Sequence, residues 1–304
     1  MRSVRSSSFS RLSVAILVAA AGATLLAQPR PPVTPMVPMM EGKCPAGTTE
    51  VRPGRCRAPE FPAPSILDYK PRSTLVTDTN LVPKAKFPVI DIHSHTGPTA
   101  ETIERLIGEM DAMGLRVLTN LSGGSDPQAV KQKVDFIRAS KYPDRFRVFA
   151  NVVWDGAGGA GWAEKAVANL EAAVTHGAIG LKIAKNLGLT AKKADGTRLA
   201  VDDPALKPVW DACARLDIPV IIHTAEPMEF FSPLDYQNER WLELALFPDR
   251  RNYMPGQPTF ADLQAERDRM FAANPNTRYI GAHFAYYGHD LPGAAALLLS
   301  LIHI

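Results

Sequence analysis

The sequence is short of most features that would assign it to a class at sight. Charge is nearly balanced, with 34 Lys and Arg against 31 Asp and Glu for a formal net of +3. Part of that excess sits in Arg2, Arg5 and Arg11, so the body of the chain is close to neutral and a nucleic-acid partner has no electrostatic support. The longest apolar run, residues 12–26, is 15 residues, short of the ~20 that a helix needs to span a bilayer. Cysteine is scarce, three in the whole chain and none near residue 27, which leaves a lipid-modified N-terminus unsupported. No Gly-rich phosphate loop follows the first β-branched run, where an open dinucleotide-binding sheet would carry one.

What is present at the start reads as an export signal over residues 1–27: a basic, Ser-rich lead, then the apolar run, then Ala27 before Gln28 and Pro29. An uncleaved anchor is the alternative, and the run is short for it. Export places the protein in a periplasmic or extracellular compartment, where a disulfide persists. Cys44 and Cys56 are the natural pair, in a Pro- and Gly-rich stretch with little else to hold the backbone. A metal knuckle at that pair would need a second Cys or His pair nearby, and there is none. Cys213, on a helical pattern, reads as a small buried hydrophobe. Residues 28–86 are expected to form an extended, Pro-rich segment ordered only around the cysteines.

From residue 87 to the end the character changes. β-branched runs at 87–95, 116–122, 146–153, 178–184, 219–224 and 278–283 alternate with helical periodicity, as in a sheet of parallel strands joined by helical crossovers. Thr99 precedes one helix, Asp126-Pro127 and Asp203-Pro204 open two others with Pro in the first turn, and Gly161 leads a fourth. Gly114 and Gly177 stand where helices should stop. Polar residues mark the C-terminal ends of several strands: His93 and His95, Lys182, His223, His283. In a closed barrel those ends share one mouth, whereas in an open doubly wound sheet they would be strung along an edge, so the expectation is an α/β, TIM-type (β/α)8 barrel. Only about six of its eight units can be read, so the chain is expected to be truncated at its C-terminus, and His303 is not read as a ligand. Residues 226–258, rich in aromatics and charge, follow the strand that ends at His223. They either wall the mouth or make a surface excursion with a small core of their own.

The chemistry is carried by Asp91-Ile92-His93-Ser94-His95. Alternation along a strand puts Asp91, His93 and His95 on one face, and two imidazoles at a strand end can reach one ion at about 2.0–2.1 Å. A third ligand must come from elsewhere, and His223 is the candidate. His283 is read as the base that moves protons near neutral pH. Asp91 either orients a ring or caps the nearby backbone. Zinc suits imidazole donors best, with manganese, iron or cobalt also accommodated.

These residues resemble the amidohydrolase superfamily, in particular its branch of metal-dependent hydrolases and carboxylic-acid decarboxylases, over about residues 87–297. The resemblance implies that His93, His95 and His223 hold the metal and that His283 orients or deprotonates water. It also implies an Asp ligand on an eighth strand, which this sequence does not contain. Some relatives bridge two metals with a carbamylated lysine, but the branch resembled mostly does not, so Lys182 is a substrate or supporting contact, or else a solvated strand-end lysine. Hydrolysis of an ester, lactone or amide through an activated water is the first expectation, because an exported enzyme meets such substrates. Decarboxylation of a small or aromatic acid is the second, and a non-catalytic exported barrel or inactive fragment the third. The partner is a small molecule, with no stable membrane span once the signal is removed; the sequence leaves a homo-oligomer open.

Overall fold

The computed structural model describes residues 35–45, 48–52, 54–57, 78, 81, 84–234 and 238–301, and everything below concerns these. The expected signal peptide, most of the Pro-rich segment and His303 lie outside them. At the N-terminal side β1 (Met36–Pro38), β2 (Thr49–Arg52) and β3 (Arg55–Arg57) form a small antiparallel sheet in the order β1-β3-β2. The Cys44–Cys56 disulfide is present, and Cys56 on β3 is fully buried.

The remaining elements alternate as expected: β4 (Val89–Ser94), α1 (Ile103–Met113), β5 (Leu115–Asn120), α2 (Pro127–Ala139), β6 (Phe146–Val148), α3 (Trp162–Thr175) and β7 (Leu181–Ile183). A short kinked α4 (Asn186–Leu189) precedes α5 (Lys207–Arg215) and β8 (Val220–Ile222). Then come α6 (Trp241–Leu246), α7 (Phe260–Ala273), β9 (Tyr279–Gly281) and α8 (Leu291–Leu301). Local chemistry explains the starts and stops. Asp126 and Asp203 accept from the backbone N–H two residues on, at 3.0 and 2.9 Å, with Pro next in line, so each cap satisfies a donor the helix leaves orphaned. Gly114 ends α1 at φ 76°, a left-handed position that costs glycine nothing. Four expected strands were drawn too long: the runs at 146–153, 178–184, 219–224 and 278–283 hold strands of only three residues, Phe146–Val148, Leu181–Ile183, Val220–Ile222 and Tyr279–Gly281.

All strand pairings from β4 onward are parallel. The sheet β4-β5-β6 is joined to the sheet β7-β8-β9 by a single bridge, Ala150 to Leu181, and the described strands close no sheet on itself. β7 and β8 are buried at every residue, as a parallel strand covered on both faces must be. Trp154, Trp210, Leu199, Leu206 and Val209 pack the layer beneath them at 0–1% exposure. β4 is the exception. It is paired only with β5, and Ile90 and Ile92, on the face away from the histidines, are 60% and 47% exposed.

Residues 226–258 carry a separate cluster of Phe230, Leu234 and Leu244, so this insertion has a small core of its own. Asp235 and Tyr236 within it lie outside the described residues. α7 starts on a reciprocal capping box between Thr259 and Asp262, and Glu266 on its buried face takes the Arg198 guanidinium and the Val201 N–H. No helix of the described residues is long and apolar enough to cross a membrane.

At the end of β5 the chain turns at Gly123, whose N–H donates to the Phe149 carbonyl at 3.1 Å. A Cβ there would stand 2.0 Å from that same oxygen, and backbone cannot give way as a side chain can. Gly123→Ala is therefore expected to lower stability by about 1–3 kcal/mol, read as a lower urea midpoint with an unchanged slope.

Candidate metal centre

Parallel strands in matched register end at one level, and the chain puts polar residues there. His93 is the last but one residue of β4 and His95 the first past it; Lys182 is the middle residue of β7; His223 is the first past β8; His283 is the second past β9. The rings meet. Centroids lie 5.7 Å apart for His93 and His95, 4.9 Å for His93 and His283, and 4.7 Å for His223 and His283. Each of the residues proposed for the site from sequence is thus brought into one cluster or beside it.

Lys182 is not a solvated strand-end lysine: it is 2% exposed, and its Nζ donates to His93 Nε2 at 3.2 Å. Burial pushes its ammonium down to about 8. The His93 ring is brought down to about 4, first by burial and then by the charge of Lys182. His95 and His283 are lowered as well, each first by burial. These three imidazoles are therefore neutral at physiological pH, the form in which they bind metals. Asp91 takes the capping alternative, its Oδ1 accepting the His93 backbone N–H at 2.8 Å.

Three residues of the cluster went unread in the sequence. Ser122 Oγ lies 2.8 Å from His95 Nδ1, and its own N–H is held by Asn120 Oδ1 at 2.8 Å; a hydroxyl just past a strand end was the available signal. Glu226 follows His223 by three residues, with Oε2 3.7 Å from its Nε2 and the other oxygen paired with Lys185. Burial alone would raise this carboxyl, but the His223 ring and Lys185 outweigh it and hold it below its ordinary value. Tyr286 OH is 3.1 Å from His223 Nε2, while His283 Nε2 is 3.3 Å from His223 Nδ1.

Tyr286 arrives there by an uncommon route. His283, Phe284, Ala285 and Tyr286 have φ of 56°, 56°, 50° and 55°, one turn of left-handed backbone without a glycine, at about 1–2 kcal/mol per residue. Gly281 permits it, since a Cβ there would lie 2.7 Å from the Ala285 Cβ. Arg267 holds it. This arginine on α7 is 1% exposed and donates from Nη1 to the Ala285 carbonyl at 2.6 Å. Its Nε and Nη2 bind Asp268, which also takes the Tyr287 hydroxyl at 2.8 Å.

Among the described residues, no three His, Cys, Asp or Glu donors stand close enough together to enclose an ion. The donors are nevertheless right in kind. They are imidazoles from three separate strand ends, with Lys182 sharing the Nε2 of His93, which is a set that suits a divalent transition metal.

The amidohydrolase family model matches residues 136–302, more than half of the chain, and the matched span includes Lys182, His223 and His283. The chain belongs to the amidohydrolase family. His93 and His95 lie ahead of the span. The solved structures it resembles include a putative amidohydrolase from Staphylococcus aureus, 17% identical with a TM-score of 0.42, over 62% of this chain and 61% of that one. An uncharacterised TIM-barrel protein from Bordetella bronchiseptica is 17% identical with a TM-score of 0.40, over 67% and 59%. The 2,6-dihydroxybenzoate decarboxylase from Rhizobium is 22% identical with a TM-score of 0.39, over 64% and 58%. The chain spans about three fifths of the length of each. No curated protein matches it significantly. The parallel strands and helices of this amidohydrolase are those of a partial TIM-type barrel, and the histidine cluster occupies the C-terminal face on which such barrels build their sites.

The lowered His93 value has a measurable consequence in the protein without metal. Its folded value of about 4 lies below its ordinary 6.5, so between them the unfolded chain binds more protons. The contribution is complete above 6.5 and is lost as pH falls toward 4. Urea midpoints of chelator-treated protein should fall over that window, and less steeply for His93→Gln. Equal slopes for the two proteins would contradict it.

Proposed function

We propose that this amidohydrolase is a metal-dependent hydrolase that cleaves a C–O or C–N bond in an ester, lactone or amide. The observation that carries this reading is the meeting of His93, His95, His223 and His283 with Lys182 at the ends of four parallel strands. His93, His95 and His223 would hold the divalent metal, zinc first and manganese, iron or cobalt also compatible. Such an ion polarises a carbonyl oxygen and makes water a competent nucleophile near neutral pH.

The chain's own residues do the rest. His283 is kept neutral by burial and by the neighbouring His223 ring, so it takes up the proton that water releases on attack and returns it to the leaving oxygen or nitrogen. Lys182 is a buried donor aimed into the cluster, placed to hold a substrate oxygen in which negative charge develops. Ser122 fixes the ring of His95 by its contact at Nδ1. An export signal over residues 1–27 accords with a substrate met outside the cytoplasm.

Lys182 also favours a second reading. A buried ammonium beside a histidine cluster is suited to a substrate carboxylate, as a decarboxylase of a small or aromatic acid would require. In that case His283, once protonated, would deliver the proton that replaces carbon dioxide.

Purified full-length protein incubated with lactones, esters, amides and aromatic carboxylates separates the two: hydrolysis products support the first reading, and carbon dioxide release without hydrolysis overturns it. His93→Ala combined with His95→Ala should leave below about half an ion per chain. His283→Gln should keep the metal and lose about 10²–10⁴ in kcat. An unchanged metal content in the double variant would remove these two residues from the site.

A further inference from the structure

We propose that Glu226 and Tyr286 are positioning residues that fix the His223 ring with its proton on Nε2, so that Nδ1 is the nitrogen it offers to the cluster. This rests on His223 being a metal ligand.

The two faces of the ring are unlike. Nε2 meets the Tyr286 hydroxyl at 3.1 Å and the Glu226 carboxylate at 3.7 Å. Nδ1 meets His283 Nε2 at 3.3 Å, on a ring that stands 4.9 Å from His93. A tyrosine hydroxyl accepts or donates and so leaves the tautomer open, but an ionised carboxylate only accepts. Glu226 therefore decides it. Its side chain is 10% exposed and its second oxygen is held by Lys185, so its charge is poorly screened and cannot swing away. A proton on Nε2 then points to the Tyr286 oxygen with the negative charge of Glu226 beside it, and Nδ1 keeps its lone pair. With the proton on Nδ1, Nε2 would turn a lone pair toward a buried negative charge.

Neither contact is incidental to the fold. Tyr286 is three residues beyond His283 in the left-handed turn, so one strained segment grips both nitrogens of His223, and buried Arg267 holds that segment at the Ala285 carbonyl. Strain of this kind persists only where the surroundings over-determine it, and it collects at functional sites. Groups that fix the far side of a metal-binding imidazole set its tautomer and raise its basicity, and their loss costs about 10–100-fold in metal affinity.

The test uses the full-length protein labelled with 15N in histidine, with the His223 signals assigned through His223→Gln. Long-range proton–nitrogen correlation on the metal-free protein should show His223 protonated at Nε2. On titration with zinc its Nδ1 signal should move while Nε2 stays protonated. Glu226→Gln should mix the tautomers and weaken zinc binding about 10–100-fold in competition with a chelator. Tyr286→Phe should weaken it by less, about fivefold. A His223 protonated at Nδ1 in the wild type overturns the proposal, as does Glu226→Gln with both tautomer and zinc affinity unchanged. If Glu226→Gln does not fold, the wild-type tautomer and Tyr286→Phe decide. Absence of zinc binding by the wild type would instead overturn the metal-centre reading, which is distinguishable because the tautomer is read without metal.

Discussion

The whole site depends on parallel pairing held in register. Ile183, Ile222 and Gly281 stand abreast on β7, β8 and β9, so the residues that follow, His223 directly and His283 one further on, emerge at one level. β4 delivers His93 and His95 through its pairing with β5. A slip of one residue in any strand would turn its polar end residue to the opposite face, and the cluster would lose a member without any change in composition. What enforces the register is burial: β7 and β8 have no exposed residue, so a slip would carry Lys182 into the apolar layer against Trp210 and its neighbours. Burying an unpaired ammonium there costs far more than the pairing energy gained elsewhere.

That constraint explains what was readable in the sequence. Strand cores of Val, Ile and Leu that end in histidine or lysine are local signals, and so are the Asp-Pro helix starts, because one short segment contains the whole cause. Strand lengths were overestimated, most at 146–153 and 178–184, since buried apolar residues flank the short strands, as at Phe149, Ala178 and Ala282. α7 was missed although its Thr259 and Asp262 box was there to read. Its buried face carries Gln264, Glu266 and Arg267, and those charges break the apolar period by which helices are recognised. Tyr286 and Glu226 could not have been placed. The Tyr286 contact depends on a left-handed turn of residues none of which is glycine, and nothing in His283-Phe284-Ala285-Tyr286 announces that conformation; the Glu226 contacts depend on where the loop after β8 carries it beside Lys185.

Arg267 and the turn it holds show how buried charge is used here. An arginine at 1% exposure is tolerated only when its donors are spoken for, and this one divides them between Asp268 and the Ala285 carbonyl. Four left-handed residues at about 1–2 kcal/mol each amount to a load that a surface loop would shed by relaxing. The guanidinium is anchored within a helix and cannot follow such a relaxation, so the turn stays wound. The cost of a strained segment is thereby carried by the core rather than by the site.

Lys182 then sets the electrostatic character of the cluster. Its ammonium lies beside His93 and lowers that ring, and it acts on His95 and His283 too, so the positive charge in the mouth is concentrated on one flexible side chain while these three imidazoles stay neutral. A divalent ion held by His93 would compete with Lys182, since the Nε2 that the lysine holds at 3.2 Å has a single lone pair. Were His93 to hold an ion through that nitrogen, Lys182 would have to turn elsewhere, and an anionic oxygen of a bound small molecule would be the group best able to receive the displaced ammonium. Metal binding and substrate binding would therefore favour one another through this lysine, a coupling that follows from the number of lone pairs on one imidazole.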